Sequence, residues 1–454
     1  VDVPIRNRLP SEPERGDAAP MTHSASATTD AIQADLDHIV HPFTPANDRQ
    51  ASGLLMIDRA DGLRLWDTDG KEYLDAKSGL MNVNVGWGRE ELGRVAGEAV
   101  ARYGYASLFF GHGHVPAAML GRKLAELTPG DIDKFFLTVG GSDANETAIK
   151  VARMYHAAKG SPDKFRIIAR DNSYHGMSMG ATSLTGSSPY WEGIGPRLPG
   201  IVHIPQPDAT DANAADVLEQ KILELGPETV AAFIAEPISN AAGVNVPGPD
   251  YWPAVARICK QHGVLLIMDE VITGFGRTGR MFACEHWGLE PDMIVMSKGV
   301  TSGYQPLGAV GFRSELIDAI GDATAPLLHG FTAGGHPAAC AVALANLDIM
   351  EREGLVENAA GLGEHLREGL QRLSAGSDAV GAVRGLGFMM AVDLVPDGAT
   401  PGPAQRVEAE LIDKGMLIRR WGDTIILGPC LNATKEDIDE IVERLAAAIE
   451  VVTG

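Results

Sequence analysis

The sequence predicts an α/β protein, with a large domain of mostly parallel sheet covered by helices and a smaller α+β domain. Three observations predict it. Short uninterrupted apolar runs, such as Val264–Met268 and Met293–Met296, suit strands buried on both faces. From about Trp87 these runs alternate with segments of helical apolar spacing. After His336 the alternation stops, and a long helical region precedes two strand-like segments and a last helix.

Residues 1–30 are rich in Pro, Ser, Ala and Thr and read as a disordered arm, with Met21 a candidate native start. Residues 31–86 read as an N-terminal segment of the small domain. Within it, Ala31–Val40 has helical character until His41-Pro42. Asp67-Thr68-Asp69-Gly70 between Gly62–Trp66 and Glu72–Leu74 is a hairpin signal.

Residues 87–335 read as the large domain. Helices are expected at Glu91–Tyr103, Pro116–Leu127, Asp143–His156 and Pro253–His262. Strands are expected at Lys134–Leu137, Phe165–Ala169, Ile201–Ile204 and Thr229–Ala235, besides the two runs above. Residues 336–454 read as the C-terminal small domain, with helix over Pro337–Leu373, strands over Val383–Leu394 and Met416–Leu427, and helix over Lys435–Val452.

Composition narrows the partners. A net charge of −22 argues against nucleic acid and against an anionic membrane surface. No apolar run approaches the roughly 20 residues of a spanning helix. The 4 cysteines are far apart, without CxxC or zinc-like spacing, which points to free thiols in a reducing, cytoplasmic compartment. No secretory signal pattern opens the chain. The histidines, including His112 and His114, lack the spacing and acidic companions of a metal site, so none is expected.

The chemistry concentrates between Gly263 and Gly299. Each apolar run there ends in a charge, Asp269 or Lys298, at the carboxyl edge of the sheet where open α/β folds bind ligands. Buried charges need partners. A protonated pyridine bearing an aldehyde would satisfy both. Strand capping, or a pair between the two, is the plainer alternative.

Other motifs cluster in the same way. Thr138–Glu146 lies between a strand and a helix, where Gly141, Ser142 and the helix N–H groups can receive an anion or form an ordinary N-cap. Tyr174-His175-Gly176 holds an aromatic residue that could equally pack on a core. Glu236 ends another buried strand, where a structural ion pair is the alternative. Gly274–Gly279 is formally GxGxxG, but Asp269–Thr273 separate it from the strand, so a dinucleotide fingerprint is rejected. In His329–Pro337, Thr332 alone reads as a turn hydroxyl.

In order, from about Asp69 to Arg420, these motifs resemble those of the class III aminotransferases, pyridoxal-phosphate (PLP) enzymes of fold type I. The resemblance implies that Lys298 forms the Schiff base and Asp269 holds the pyridine nitrogen. It implies that Gly141 and Ser142 take the phosphate, although Gly140 replaces a serine usual there. Tyr174 and Val271 would sandwich the ring, with His175 beside it and Glu236 near its phenolic edge. Thr332 would reach the phosphate in a neighbouring subunit of a homodimer or dimer of dimers.

Substrate contacts implied by the resemblance are Leu80, Met81, Tyr174, Phe109 and Phe110, the last two from the partner subunit. Met81 stands where many relatives carry Trp, which implies a wider or more adaptable amine pocket. Arg419 matches a mobile arginine that binds the substrate carboxylate, with Arg420 as its rival. The implied reaction is ping-pong transfer from an ω-amine, an ω-amino acid or a taurine-like amine to a keto acid, pyruvate above others. A racemase or epimerase of the same family is the first alternative. A nicotinamide-dependent dehydrogenase and a catalytically silent PLP-binding protein are others.

Overall fold

The computed structural model describes residues 25–44, 54–322 and 327–454. Of the expected arm over residues 1–30, residues 1–24, with Met21, lie outside the described residues, and residues 25–30 are helical instead. The chain divides into two compact units, Val1–Arg59 with Trp66–Lys71, and Ala60–Leu65 with Glu72–Gly454. In the first unit a helix spans Ala25–His38, starting earlier than apolar spacing predicts. The Asp67–Gly70 turn forms as expected: Gly70 N–H donates to Asp67 O at 3.0 Å, and Asp69 N–H to Asp67 Oδ1 at 3.0 Å.

The second unit is built around a seven-stranded sheet. Its order across the sheet is Ile132–Thr138, Gly308–Arg313, Met293–Met296, Leu265–Asp269, Val230–Ala235, Arg166–Arg170, Ile201–Ile204. The last five run parallel, while Gly308–Arg313 is antiparallel to both neighbours. The apolar runs are uninterrupted because both sheet faces are covered. Leu266, Met268, Ile294 and Met296 enter one core cluster, and Leu265, Ile267, Met293 and Val295 enter another. Each such side chain contributes roughly 1.5–3 kcal/mol on burial.

The second of those clusters is roofed by Ala144, Ala148, Val151 and Ala152 of the Gly141–Ala158 helix. The sheet's carboxyl edge thus carries Glu236, Asp269 and Lys298, with the N-terminus of that helix beside them.

Beyond His336 the single expected helix is two, Pro337–Arg352 and Leu355–Gly376, parted at Glu353-Gly354. The two long expected strands are hairpins. Val380–Leu386 pairs antiparallel with Met389–Leu394, and Arg419–Trp421 with Thr424–Leu427. Met416–Leu417 pairs parallel with Leu74-Asp75, joining the N-terminal segment to this region. A capping box between Thr434 and Asp437 starts the last helix, Lys435–Thr453. Among the elements outside the sequence expectation are Ile57–Asp61, Met179–Leu184, Asp216–Leu225, Gly308–Arg313, Ser314–Asp322 and Pro403–Asp413. Among the described residues no helix is long and apolar enough to cross a membrane.

The Gly274–Gly279 segment forms turns, not a helix-opening loop. Its Arg277 is fully buried. It donates to the carbonyls of Phe388 and Pro429, to Ser78 Oγ at 2.9 Å and to Asn84 Oδ1 at 3.0 Å. Burial pushes its proton affinity down to about 10.

Candidate active site

A cleft with about 610 Å³ of empty volume opens at the carboxyl edge of the large sheet. Eight of the residues expected at the site line it together: Gly141, Ser142, Tyr174, His175, Glu236, Asp269, Val271 and Lys298.

Asp269 is 3% exposed and closes the strand Leu265–Asp269. Its Oδ2 accepts from His175 Nδ1 at 2.7 Å and from Asn145 Nδ2 at 2.9 Å. Among the described residues the only donor to Oδ1 is Val271 N–H, at 3.0 Å. Oδ1 keeps acceptor capacity for a further donor. Asn145 sits one turn inside the Gly141–Ala158 helix, and its amide also donates to His175 O at 2.7 Å.

The neighbouring Glu270 points the other way. Strand alternation puts it under the Gly274–Gly279 turns, where Thr273 Oγ1, Ala283 N–H and Cys284 N–H donate to it. Burial raises its proton affinity.

Lys298 follows the Met293–Met296 strand with φ +45°, sparsely populated for a residue with a side chain. Its neighbours fix that turn. Ser297 Oγ donates to Leu307 O at 2.8 Å, and Asn346 Nδ2 donates to Gly299 O at 2.9 Å. Burial, and then the Arg419 charge, lower the Lys298 amine to about 7, against the opposing pull of Asp269 and Glu236. An amine so placed exchanges protons near neutral pH.

Glu236 follows the Val230–Ala235 strand and is 4% exposed. Tyr174 N–H (3.2 Å) and Ser239 Oγ (2.9 Å) donate to Oε1, and Asn240 N–H (3.1 Å) to Oε2. Burial raises its proton affinity, and Asp269 adds to that. Tyr174 meets Tyr190 edge to face at 5.9 Å. Burial raises the Tyr174 phenol as well.

At the other end of the cleft, Ser142 Oγ accepts from Met177 N–H at 3.1 Å. A Cβ at Gly176 would come within 2.4 Å of that hydroxyl, and Gly176 has φ +120°. Only glycine keeps this approach open. The Gly141–Ser142 helix start turns free N–H groups towards the cleft, a setting for an anion.

These residues fit PLP. A carboxylate with spare acceptor capacity matches a protonated ring nitrogen. An amine near neutrality matches the aldehyde. A glycine-lined helix start matches the phosphate.

Leu80, Met81, Phe109, Phe110 and Thr332 do not line this cleft. Leu80 is 71% exposed. Met81 is buried in a cluster with Ile238, Met389 and Ile426, and its sulfur accepts from Asn240 Nδ2 at 3.2 Å. It therefore reaches the site through Asn240, whose N–H holds Glu236. Phe110 is 95% exposed, Phe109 half-buried and Thr332 exposed. The two aromatic residues and Thr332 are tied into one rim. Tyr105 OH donates to Thr332 O at 2.9 Å, and the Phe109 ring packs on Gly330, where a Cβ would come within 2.4 Å. His114 completes the tie with a 2.7 Å bond to Gly335 O.

The two candidate arginines separate clearly. Arg420 Nε pairs with Glu408 Oε2 at 2.7 Å. Arg419 has no carboxylate within ion-pair distance among the described residues, and its charge acts on Lys298 and Tyr174. Sequence reasoning missed Asn145, Ser239 and Asn240, whose polar contacts hold the two carboxylates. An amide two residues beyond the helix-capping positions was their one local signal, at Asn145.

Comparison with known proteins agrees with this geometry. The family model "Aminotransferase class-III" matches residues 45–449. A putrescine–pyruvate aminotransferase of Pseudomonas aeruginosa is 39% identical over 89% of this chain and 92% of that enzyme. An (S)-enantioselective omega-transaminase from Thermomicrobium roseum superposes with a TM-score of 0.90 at 42% identity, covering 94% of this chain and 99% of that one. The omega transaminase from Pseudomonas jessenii, in complex with PMP, superposes with a TM-score of 0.90 at 38% identity, over 93% and 98% of the two chains. These relatives do not favour a racemase, and the fold is that of the fold type I transaminases. The chain accordingly belongs to the class III aminotransferase family and is a PLP-dependent transaminase.

Proposed function

We propose that this enzyme transfers an amino group from an ω-amine or ω-amino acid to a keto acid, with pyruvate as acceptor. The observation that carries the reading is that Arg419, unlike Arg420, meets no carboxylate at ion-pair distance among the described residues while its charge acts on the Lys298 amine, which supports it as a receptor for the keto acid's carboxylate. The putrescine–pyruvate aminotransferase takes, by its name, this kind of pair.

Bound PLP supplies an electron sink for the carbanion formed when the substrate carbon loses its proton. Lys298 would hold PLP through its amine and would accept and return the substrate proton, a task suited to an amine near 7. Asp269, fixed by His175 and Asn145, keeps the ring nitrogen protonated. Tyr174 and Val271 would hold the ring, with His175 orienting Asp269 and Glu236 close by in the same cleft. Gly141 and Ser142 receive the phosphate. Met81 would influence the amine side only from beneath, through Asn240, which holds Glu236.

A homodimer is part of the proposal. The exposure of Phe110 and Thr332, and their common rim, support a role towards a second copy's cleft. The parallel pairing of Leu74-Asp75 with Met416–Leu417 supports a small domain made from both ends of the chain. Four buried free cysteines support a cytoplasmic location.

The test is a half-reaction. An aliphatic diamine alone should convert the bound cofactor to its pyridoxamine form, and pyruvate alone should restore it. Conversion by the amine with no recovery by any keto acid would reject transfer. Recovery by 2-oxoglutarate but not pyruvate would reject the acceptor.

A further inference from the structure

The loop that bears Thr332 is fastened by a histidine with one workable protonation state. His329 Nδ1 lies 3.1 Å from Lys150 Nζ, and its Nε2 lies 2.8 Å from Thr147 Oγ1. An ammonium only donates, so Nδ1 accepts and Nε2 carries the hydrogen. That hydrogen goes to the Thr147 hydroxyl, whose own hydrogen goes to Asp143 O at 2.8 Å. Every donor in this chain meets an acceptor only when the imidazole is neutral. The ring also stacks on Phe136 at 5.1 Å and meets Phe331 edge to face at 5.0 Å.

Thr147 and Lys150 belong to the Gly141–Ala158 helix, whose first turn bounds this chain's own cleft. Three residues after His329 comes Thr332. We propose that His329 is a positioning residue for cofactor retention, a neutral imidazole clamp tying the helix of one phosphate cup to the loop offered to the other. The proposal rests on the reading that Thr332 serves a second copy's phosphate.

Protonation breaks the clamp. A proton on Nδ1 removes the acceptor for Lys150 and sets two cations face to face. Among the described residues the charged groups acting on the ring are Lys150, which resists protonation, and Glu146, which favours it; burial resists it most. The depressed histidine keeps the clamp whole above its ordinary value of 6.5 and surrenders it as pH falls below.

The experiment follows release of PLP from the holoenzyme, by absorbance after transfer to PLP-free buffer, at acid and neutral pH. His329→Gln can donate and accept as the neutral ring does, without titrating. The acid-to-neutral ratio of release rates should be at least about fivefold larger in the wild type than in His329→Gln, the scale of one lost hydrogen bond. His329→Ala should release PLP faster at both pH values. Equal ratios in wild type and His329→Gln, or wild-type release from His329→Ala at neutral pH, would overturn the clamp. Thr332→Val tests the underlying reading separately and should speed release at all pH values. If it does not, the cross-subunit role falls. Hydrogen exchange over residues 329–336 then judges the clamp alone: faster exchange in His329→Ala supports it, and unchanged exchange rejects it.

Discussion

His175 Nδ1 donates to Asp269 Oδ2 at 2.7 Å, inside a site where neither side chain is more than 3% exposed. The bond fixes the imidazole tautomer and leaves Oδ1 of Asp269 with one donor, Val271 N–H, among the described residues.

Asp269→Asn should keep the shape of this arrangement and lose its charge. A charged hydrogen bond contributes about 1.5–3 kcal/mol, and each 1.36 kcal/mol is about tenfold in rate. Turnover should fall at least about a hundredfold. Stopped-flow absorbance of the amine half-reaction measures it, and a near-normal rate would place the ring nitrogen elsewhere.

Lys298 gives a covalent test and a pH test. Borohydride should fix the cofactor to a peptide containing Lys298, and label on another lysine would end the assignment. In the apoenzyme, the amine at about 7 lies below its ordinary 10.5. Its contribution to stability is therefore complete above 10.5 and is lost as pH falls to about 7. Apo Lys298→Met, with no proton to bind, should gain thermal stability over the wild type at pH 6 and little at pH 11.

Arg419→Ala should weaken pyruvate use by about 1.5–3 kcal/mol, as for one charged hydrogen bond, and barely change the half-reaction with an aliphatic amine. Arg420→Ala removes a partly exposed pair and should alter stability by about 0–1 kcal/mol without this selectivity. Steady-state kcat/KM for each substrate decides between them. Equal effects of Arg419→Ala on amine and acid would remove it from the carboxylate site.

Subunit mixing tests the shared rim. Inactive Lys298→Ala and inactive Thr332→Trp should regain part of the activity when mixed, because one cleft of a mixed dimer keeps both residues intact. An active monomer at assay concentration would refute shared sites.

The charged strand ends were legible because an acid or a lysine after a fully apolar run has few innocent explanations, and Asp269, Glu236 and Lys298 share one cleft. Gly308–Arg313 was not, since two glycines dilute its strand signal. It is also the antiparallel member of an otherwise parallel core, a pairing that no local period encodes. Met81 was expected at the pocket but lies beneath it, because burial depends on Asn240 and Met389, far along the chain. The Asn145 contact to Asp269 spans 124 positions, and its one local signal, an amide just past the helix start, does not name its partner.

Arg277 carries a consequence for biosynthesis. Its guanidinium joins Ser78, 199 positions earlier, to Pro429, 152 positions later. A ribosome must release nearly the whole polypeptide before this cation finds its carbonyls. Until then a charge destined for the interior stays hydrated, and the turns that follow Asp269 lack these bonds. Truncation before Pro429 would strand it there, so the enzyme's last segment acts as a late licence for the pocket formed by its middle.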